Sequence, residues 1–160
     1  MASPRARVVT RSTLFIALLA SMLIAGTGPA AAAQTETDRV VTIAKRQLGD
    51  PWVWAAKGPH RFDCVGLVYY VFKKADLLKR IGGKFRLIRG YWDWFAKRGR
   101  ASRSNGRRGD LIIWGRSKHI GIYLGNGRAI STTTRGVRIH GLHTVNIPFS
   151  TFLHVRMERG

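Results

Sequence analysis

The hydrophobic periodicity of this chain changes once, at Asp110, and that change limits the folds that it can adopt. Before Asp110, apolar residues recur at the three- and four-residue spacing of helices, as in Cys64–Ala75. After it, short apolar runs separated by glycine-rich turns are typical of strands. The runs are Leu111–Trp114, His119–Leu124 and Arg128–Ser131, with further strands predicted at 136–139 and 151–157. Helices followed by antiparallel strands predict an α+β fold.

Two shorter helices are predicted on either side of the cysteine segment. The first is capped by Thr35 or Thr37 and ends at Gly49, ahead of Pro51. The second is aromatic, covers 91–95 and is closed by a glycine at position 99.

The first 33 residues predict a secretory signal peptide. It has a basic region with Arg5, Arg7 and Arg11, an apolar region from Leu14 to Ala25, and small residues at 30–33 that suit cleavage before Gln34. The apolar region is short for a bilayer-spanning helix, and an uncleaved membrane anchor is the alternative. We therefore expect an exported protein, extracellular or held in the cell wall, with a single domain over residues 34–160.

The chain is strongly basic, with 28 Lys and Arg against 8 Asp and Glu and a net charge of +20. The leader holds three of the arginines and no acid, so the rest carries +17. Such a balance indicates polyanionic surroundings, which could be wall polymer, an acidic membrane surface or nucleic acid. An export signal and the lack of a nucleic-acid motif argue against the last. Six of the cations lie in 97–108, a loop that we expect to be poorly ordered without an anionic partner.

The only cysteine, Cys64, lies at the predicted start of a helix. Asp63 is a good N-cap, because its carboxylate can accept hydrogen bonds from the free N–H groups of the first turn. A thiol in that turn is close to the positive end of the helix dipole, which favours the nucleophilic thiolate. The alternative is a small buried hydrophobic residue, the usual environment of a free cysteine. Gly66 costs ~1 kcal/mol relative to alanine inside a helix, which predicts a close backbone approach there.

A cysteine nucleophile needs a base that takes its proton and later protonates the leaving amine, and histidine is the usual one. His119 is the best placed of the five histidines, because it opens a strand beside a glycine-rich break. Its alternative interpretation is a solvated histidine at a strand end. The other candidates are His60, His140, His143 and His154.

Four segments resemble, in order, the NlpC family of papain-like cell-wall cysteine peptidases. The family pattern is Pro-Tyr-x-Trp-Gly-Gly, Phe-Asp-Cys-Ser-Gly-Leu, Gly-Asp-Leu and His-(Val/Ile)-Gly-Ile-Tyr-(Leu/Ile)-Gly-x-Gly. The matching segments are Pro51-Trp52-Val53-Trp54, Phe62-Asp63-Cys64-Val65-Gly66-Leu67, Gly109-Asp110-Leu111 and His119-Ile120-Gly121-Ile122-Tyr123-Leu124-Gly125-Asn126-Gly127. The resemblance implies a papain-like α+β fold, with N-terminal helices packed on a C-terminal antiparallel sheet and the catalytic cysteine at a helix N-terminus.

The resemblance also implies roles for individual residues. Cys64 would be the nucleophile, His119 the general base and acid, and the Cys64 backbone N–H part of an oxyanion hole. The third catalytic position, often histidine in the family, falls on Ser131. Four further positions would contact substrate, and no metal or cofactor is implied. The substrate-binding positions are Trp52, Trp54, Asp63 and Val65.

The chain departs from the family pattern around these positions. Trp52 replaces the tyrosine, Ala55-Ala56 the paired glycines, and Val65 the serine after the cysteine. Because these changes touch substrate contacts more than the nucleophile and the base, they put specificity in question before catalysis.

The predicted hairpin tests whether Ser131 can reach His119. With a three-residue loop at 125–127, Ile122 opposes Ile130 and both face the core. Ser131 is then diagonal to His119, and Thr133 lies directly opposite it. Diagonal Cβ atoms are ~7–8 Å apart, a long reach for serine, so Ser131, Thr133 or a water could orient the imidazole.

These features predict an exported, monomeric cysteine endopeptidase that cleaves peptidoglycan stem peptides through a Cys64 acyl-enzyme. The resemblance implies cleavage between D-glutamate and a diamino acid such as meso-diaminopimelate or lysine. The expected partners are stem peptides and anionic cell-wall polymers, with no nucleic acid and no stable membrane anchor after leader cleavage. The alternative is a wall- or polyanion-binding protein that has kept the fold and lost turnover.

Overall fold

The computed structural model describes residues 34–158, which form three α-helices, a short 3-10 helix and six strands. The predicted signal peptide lies outside the described residues. The helices are α1 (Glu36–Lys45), α2 (Cys64–Lys74), the 3-10 helix (Leu78–Ile81) and α3 (Ile88–Ala96). The strands are β1 (Ala101–Ser102), β2 (Leu111–Trp114), β3 (His119–Gly125), β4 (Arg128–Thr133), β5 (Gly136–Gly141) and β6 (Phe149–Leu153). Within this part of the chain, no helix is long and apolar enough to cross a bilayer.

The six strands form one antiparallel sheet in the order β1-β6-β2-β3-β4-β5. The helices pack on one face of it, with α2 against β3 and β4. The other face is covered by the segment between β5 and β6, where Leu142 packs with the side chains of Trp114 and Phe152. The structure confirms the predicted α+β class and the order of helices before strands.

The core between helices and sheet follows from the two periodicities. Val68, Val71 and Phe72 recur at helical spacing along α2, and all three are fully buried. Ile120 and Ile122 alternate along β3 and meet them from the sheet side. Each such side chain contributes ~1.5–3 kcal/mol when it is fully buried.

Helix capping follows the sequence closely. Thr35, the first of the two candidates, is the N-cap of α1, and its Oγ1 accepts a hydrogen bond from Asp38 N at 3.0 Å. Asp63 is the N-cap of α2, and its Oδ1 accepts from Gly66 N at 2.5 Å. The predicted aromatic helix is longer than expected, because α3 begins at Ile88, a buried residue that joins its apolar face.

The β3–β4 hairpin keeps the predicted register with a shorter turn. Ile122 pairs with Ile130, as expected, but Gly125 pairs with Arg128, so the turn is Asn126-Gly127. A bulge between Tyr123 and Gly125 absorbs the extra residue. The bulge lets a two-residue turn coexist with an apolar face that a regular two-residue hairpin would break.

The prediction for 97–108 was wrong, since this segment contains β1 and is tied down at its end by Asp110. Asp110 is 2% exposed, and its carboxylate accepts from Arg107 N and Val155 N, each at 2.8 Å. His154 Nδ1 lies 3.0 Å from the same carboxylate, and His154 Nε2 lies 2.7 Å from Ser102 Oγ in β1. β6 begins two residues earlier than predicted and ends at Leu153. After Leu153, His154 N donates to Arg100 O and Val155 N donates to Asp110.

Candidate active site

Cys64 is the first residue of α2 and is half-buried, with a free thiol. The helix start packs closely against the preceding loop. Asp63 N donates to Ala56 O at 2.9 Å, and a Cβ at position 66 would clash with that same carbonyl oxygen. The close approach predicted at Gly66 is therefore confirmed, and it holds the cysteine against the 52–56 loop.

The environment of Cys64 raises the pKa of its thiol, which differs from the expectation based on the helix dipole. Burial is the main cause, and the Asp63 carboxylate adds to it. The backbone N–H groups of Ile120, Val65 and Cys64 itself act in the opposite direction, since they favour the thiolate. Ile120 follows His119 at the start of β3, so the strand that carries the candidate base also favours the Cys64 thiolate through this N–H.

His119 begins β3, and its Nε2 lies 2.8 Å from Ser131 Oγ on β4. Gly121 makes room for this contact, because a Cβ there would lie 2.9 Å from the Cβ of Ser131. Thr133 does not compete, since its hydroxyl donates to Gly136 O at 3.0 Å. Of the alternatives left open by the sequence, the structure brings Ser131 to the imidazole.

The imidazole of His119 is held neutral by its surroundings. The buried Trp114 ring lies 5.4 Å from it, centroid to centroid. Burial, together with the nearby His140, lowers the pKa of His119 to about 4. At neutral pH the site therefore holds a thiol and a neutral imidazole, a pair in which the histidine can accept a proton.

His140 on β5 joins the cluster, although the sequence did not single it out as a partner of Ser131. Its Nε2 lies 2.8 Å from Ser131 Oγ, and its Nδ1 lies 3.0 Å from Gly141 O. The pairing of His140 with Ala129 puts its side chain on the face that carries Ser131. The contact of His140 with Ser131 could be predicted only if the β4–β5 register were known, because nothing local in the sequence indicates it.

An open cleft of about 900 Å³ runs from His119 across the β4–β5 face. Trp52 lines it, as do two cations, Arg135 and Arg138, while Cys64 is not among its lining residues. None of the described residues that line it carries a carboxylate. Most of its lining surface is apolar, so the two arginines are the groups that favour an anionic ligand.

Of the four predicted substrate-binding residues, only Trp52 lines the cleft. Trp52 is 45% exposed at the cleft, whereas Trp54 is 80% exposed and outside its lining. Asp63 uses its carboxylate to cap α2. Val65 is 6% exposed and packs in the core, so its side chain does not support the substrate-binding role expected for it. Position 65 of the helix points inward, and a role for this residue in substrate binding stays a prediction.

Comparison with known proteins places the chain in a family. Residues 49–156 match the NlpC/P60 family. The chain is 33% identical over 108 residues to the probable endopeptidase p60 of Listeria monocytogenes, an alignment that covers 65% of this chain and 20% of that protein. This chain thus spans about a fifth of the length of that relative.

Solved structures support the same relationship. The NlpC/p60 domain of peptidoglycan hydrolase SagA matches with a TM-score of 0.59 and 25% identity, over 74% of this chain and 98% of that one. RipD of Mycobacterium tuberculosis, a non-catalytic NlpC/p60 domain protein adapted to peptidoglycan binding, matches with a TM-score of 0.58 and 26% identity, over 77% of this chain and 99% of that one. The chain belongs to the NlpC/P60 family.

Proposed function

We propose that this protein is a cysteine endopeptidase that cleaves peptidoglycan stem peptides at the bond between D-glutamate and a diamino acid. The observation that carries the proposal is the 2.8 Å distance between His119 Nε2 and Ser131 Oγ, at the start of a strand whose next backbone N–H, that of Ile120, favours the Cys64 thiolate. Family membership supports the same reaction class, since its named relatives include endopeptidases.

The proposed reaction begins with proton transfer from the thiol of Cys64 to His119. The thiolate attacks the peptide carbonyl carbon, and the backbone N–H of Cys64 stabilises the oxyanion that forms. The C–N bond breaks as His119 returns its proton to the leaving amine, which leaves an acyl-enzyme. Water then attacks the thioester with His119 as base, releases the carboxylate product and restores the thiol.

The raised pKa of Cys64 and the lowered pKa of His119 favour proton transfer during attack over a resting ion pair. The imidazolium exists only while substrate is being cleaved, and the Ser131 hydroxyl oxygen is then positioned to accept its Nε2–H. In this proposal Ser131 orients the base.

The cleft chemistry supports an acidic peptide substrate. Stem peptides carry free carboxylates on D-glutamate and on diaminopimelate, and Arg135 and Arg138 can pair with such groups. Trp52 offers an indole face and an N–H donor beside His119. We further propose that the protein acts outside the cell, in contact with the wall and its anionic polymers, as a monomer formed by residues 34–160 after leader cleavage.

A second candidate is a wall-binding protein without turnover. RipD supports it, because a protein with this fold and 26% identity is non-catalytic. The thiol pKa shift and the substitutions at positions 52, 55 and 56 are consistent with weakened catalysis.

Incubation of the protein from residue 34 onward with purified peptidoglycan distinguishes the two candidates. We expect mass spectrometry to detect new peptide termini at the D-glutamyl–diamino acid bond, and none with Cys64→Ala or His119→Ala. Retention of those variants on sacculi would separate binding from cleavage. Sacculi that are bound but left intact by the wild type would favour the second candidate.

A further inference from the structure

We propose that His140 is a positioning residue for the candidate base, which acts through the Ser131 hydroxyl to decide which ring nitrogen of His119 carries the proton. The inference rests on the proposed function, because it assigns His140 a role in preparing His119 to accept the thiol proton. Its evidence is a continuous series of hydrogen bonds that crosses three adjacent strands, β3, β4 and β5.

The donor and acceptor of each hydrogen bond in the series follow from its last contact, between His140 and Gly141 O. A carbonyl oxygen can only accept, so the His140 Nδ1 that lies 3.0 Å from Gly141 O must carry a proton. In the neutral ring, Nε2 is then a lone-pair acceptor. Ser131 Oγ lies 2.8 Å from that nitrogen, and the hydroxyl therefore donates its single hydrogen to His140.

The same assignment continues to His119. With its hydrogen committed to His140, the Ser131 oxygen can only accept from its other neighbour, His119 Nε2, at 2.8 Å. Nε2 must carry the proton of the neutral imidazole, and Nδ1 is left as a free lone pair. The base is thereby prepared to take a proton at the one ring nitrogen that Ser131 does not occupy.

Without His140, the Ser131 hydroxyl has no acceptor that fixes the direction of its hydrogen. It could then donate to His119 Nε2, which would move the imidazole proton to Nδ1 and remove the lone pair that catalysis needs. Ser131 is fully buried, and the fully buried Trp114 ring lies 5.6 Å from the His140 ring, centroid to centroid. Trp114 is itself fixed, since its Nε1 donates to Leu142 O at 2.8 Å.

Several titratable and charged groups share the cleft with His140. His119 faces it from β3, and Arg135 and Arg138 line the same cleft, from the β4–β5 turn and from β5. The segment after β5 contributes uncharged groups to that lining, among them Thr144 and Asn146.

Nitrogen-15 NMR of the imidazole rings tests the assignment without any substrate. In the wild type at neutral pH we expect the Nε2–H tautomer for His119 and the Nδ1–H tautomer for His140. In His140→Ala, the His119 signals should shift toward Nδ1–H. Unchanged His119 tautomer signals in that variant would overturn the proposal, whether or not the protein cleaves peptidoglycan, and this separates it from failure of the proposed function.

A double-mutant cycle on cleavage of a soluble stem peptide provides the kinetic test. His140→Ala should lower kcat at least about tenfold, with about 10⁴-fold as the limit for a base in the wrong tautomer, and leave KM almost unchanged. Because His140 acts through Ser131, Ser131→Ala combined with His140→Ala should be no slower than Ser131→Ala alone.

His140→Gln keeps an acceptor for the Ser131 hydroxyl and should recover much of the lost rate. His143→Ala is the matched control, because His143 is exposed and its ring contacts that of Phe149 at 6.0 Å. Multiplicative losses in the double variant, or a His140→Gln variant as slow as His140→Ala, would show that His140 does not act through Ser131.

Discussion

At the residue scale, burial outweighs the helix dipole at Cys64. A helix N-terminus contributes ~0.3–1 kcal/mol toward a negative group at an exposed position. Removal of a thiolate from water opposes it, and the neighbouring Asp63 carboxylate adds repulsion, so the pKa of the thiol rises above its model-compound value of 9.0. Asp63 therefore has two opposite effects, since it caps the helix and disfavours the thiolate.

The predicted consequence is slow alkylation of Cys64 at neutral pH in the folded protein. A raised pKa means that the thiolate fraction increases only as pH rises past 9, and the rate of iodoacetamide labelling should follow it. Mass spectrometry of the labelled protein between pH 6 and pH 10.5 measures this profile. In denaturant the same thiol should react with a midpoint near that of an ordinary cysteine.

Cys64→Ala is the control for labelling elsewhere in the chain. A plateau of fast labelling that extends below pH 7 would contradict the prediction, because it would reveal a stable thiolate–imidazolium pair.

At the scale of elements, two glycines in helices have opposite surroundings. Gly66 lies in α2 against the backbone of Ala56 and Lys57, and an added Cβ would clash with both. Gly90 lies in α3, where an added Cβ would make ordinary contacts with the Arg86 side chain, the nearest at 3.4 Å. Helix propensity alone would predict a gain of ~1 kcal/mol for alanine at either position.

We expect Gly66→Ala to lower the free energy of unfolding by ~1–3 kcal/mol, because overpacking against a backbone outweighs the propensity gain. Gly90→Ala should leave stability unchanged or increase it by up to ~1 kcal/mol. Urea unfolding followed by circular dichroism measures both. Equal effects of the two substitutions would mean that the loop at 56–57 yields to α2 without cost.

At the scale of the whole molecule, the excess of positive charge is divided between paired and unpaired arginines. Arg108 pairs with Asp38 at 2.6 Å. Arg98 and Arg100 lie over the Trp94 ring, at 4.3 and 4.6 Å from its centroid. No carboxylate of residues 34–158 lies within ion-pair distance of either.

Unpaired cations should dominate retention on anionic wall polymer. Burial, with repulsion from Arg156 and Arg98, lowers the pKa of Arg100, and a bound anion would relieve that repulsion. The variant Arg100→Gln should therefore elute from purified walls at lower salt than Arg108→Gln, although each loses one charge. Cleavage of a soluble peptide should be unaffected in both.

The comparison of these two variants also tests whether local placement or net charge governs retention. Exposed charges interact over a Debye length of ~8 Å at physiological salt, so local placement should matter more than net charge. Identical elution of the two variants would instead assign retention to net charge alone.

The features that the sequence determined are those that depend on neighbours in the chain. The helical spacing of Val68, Val71 and Phe72, the cap at Asp63 and the strand alternation at Ile120 and Ile122 are all set within a few residues. The Ile122–Ile130 register followed as well, because one apolar face fixes it, although the turn is one residue shorter than predicted.

Long-range pairing and burial decided the rest. β1 forms because Ser102 pairs with Phe152, and His140 joins the candidate site because β5 pairs with β4; both contacts depend on how distant parts of the chain pack. The directions of the pKa shifts of Cys64 and His119 also required the tertiary structure, since desolvation is their main cause. Desolvation depends on all the atoms that pack around a titratable group, whereas a sequence motif identifies only the group itself.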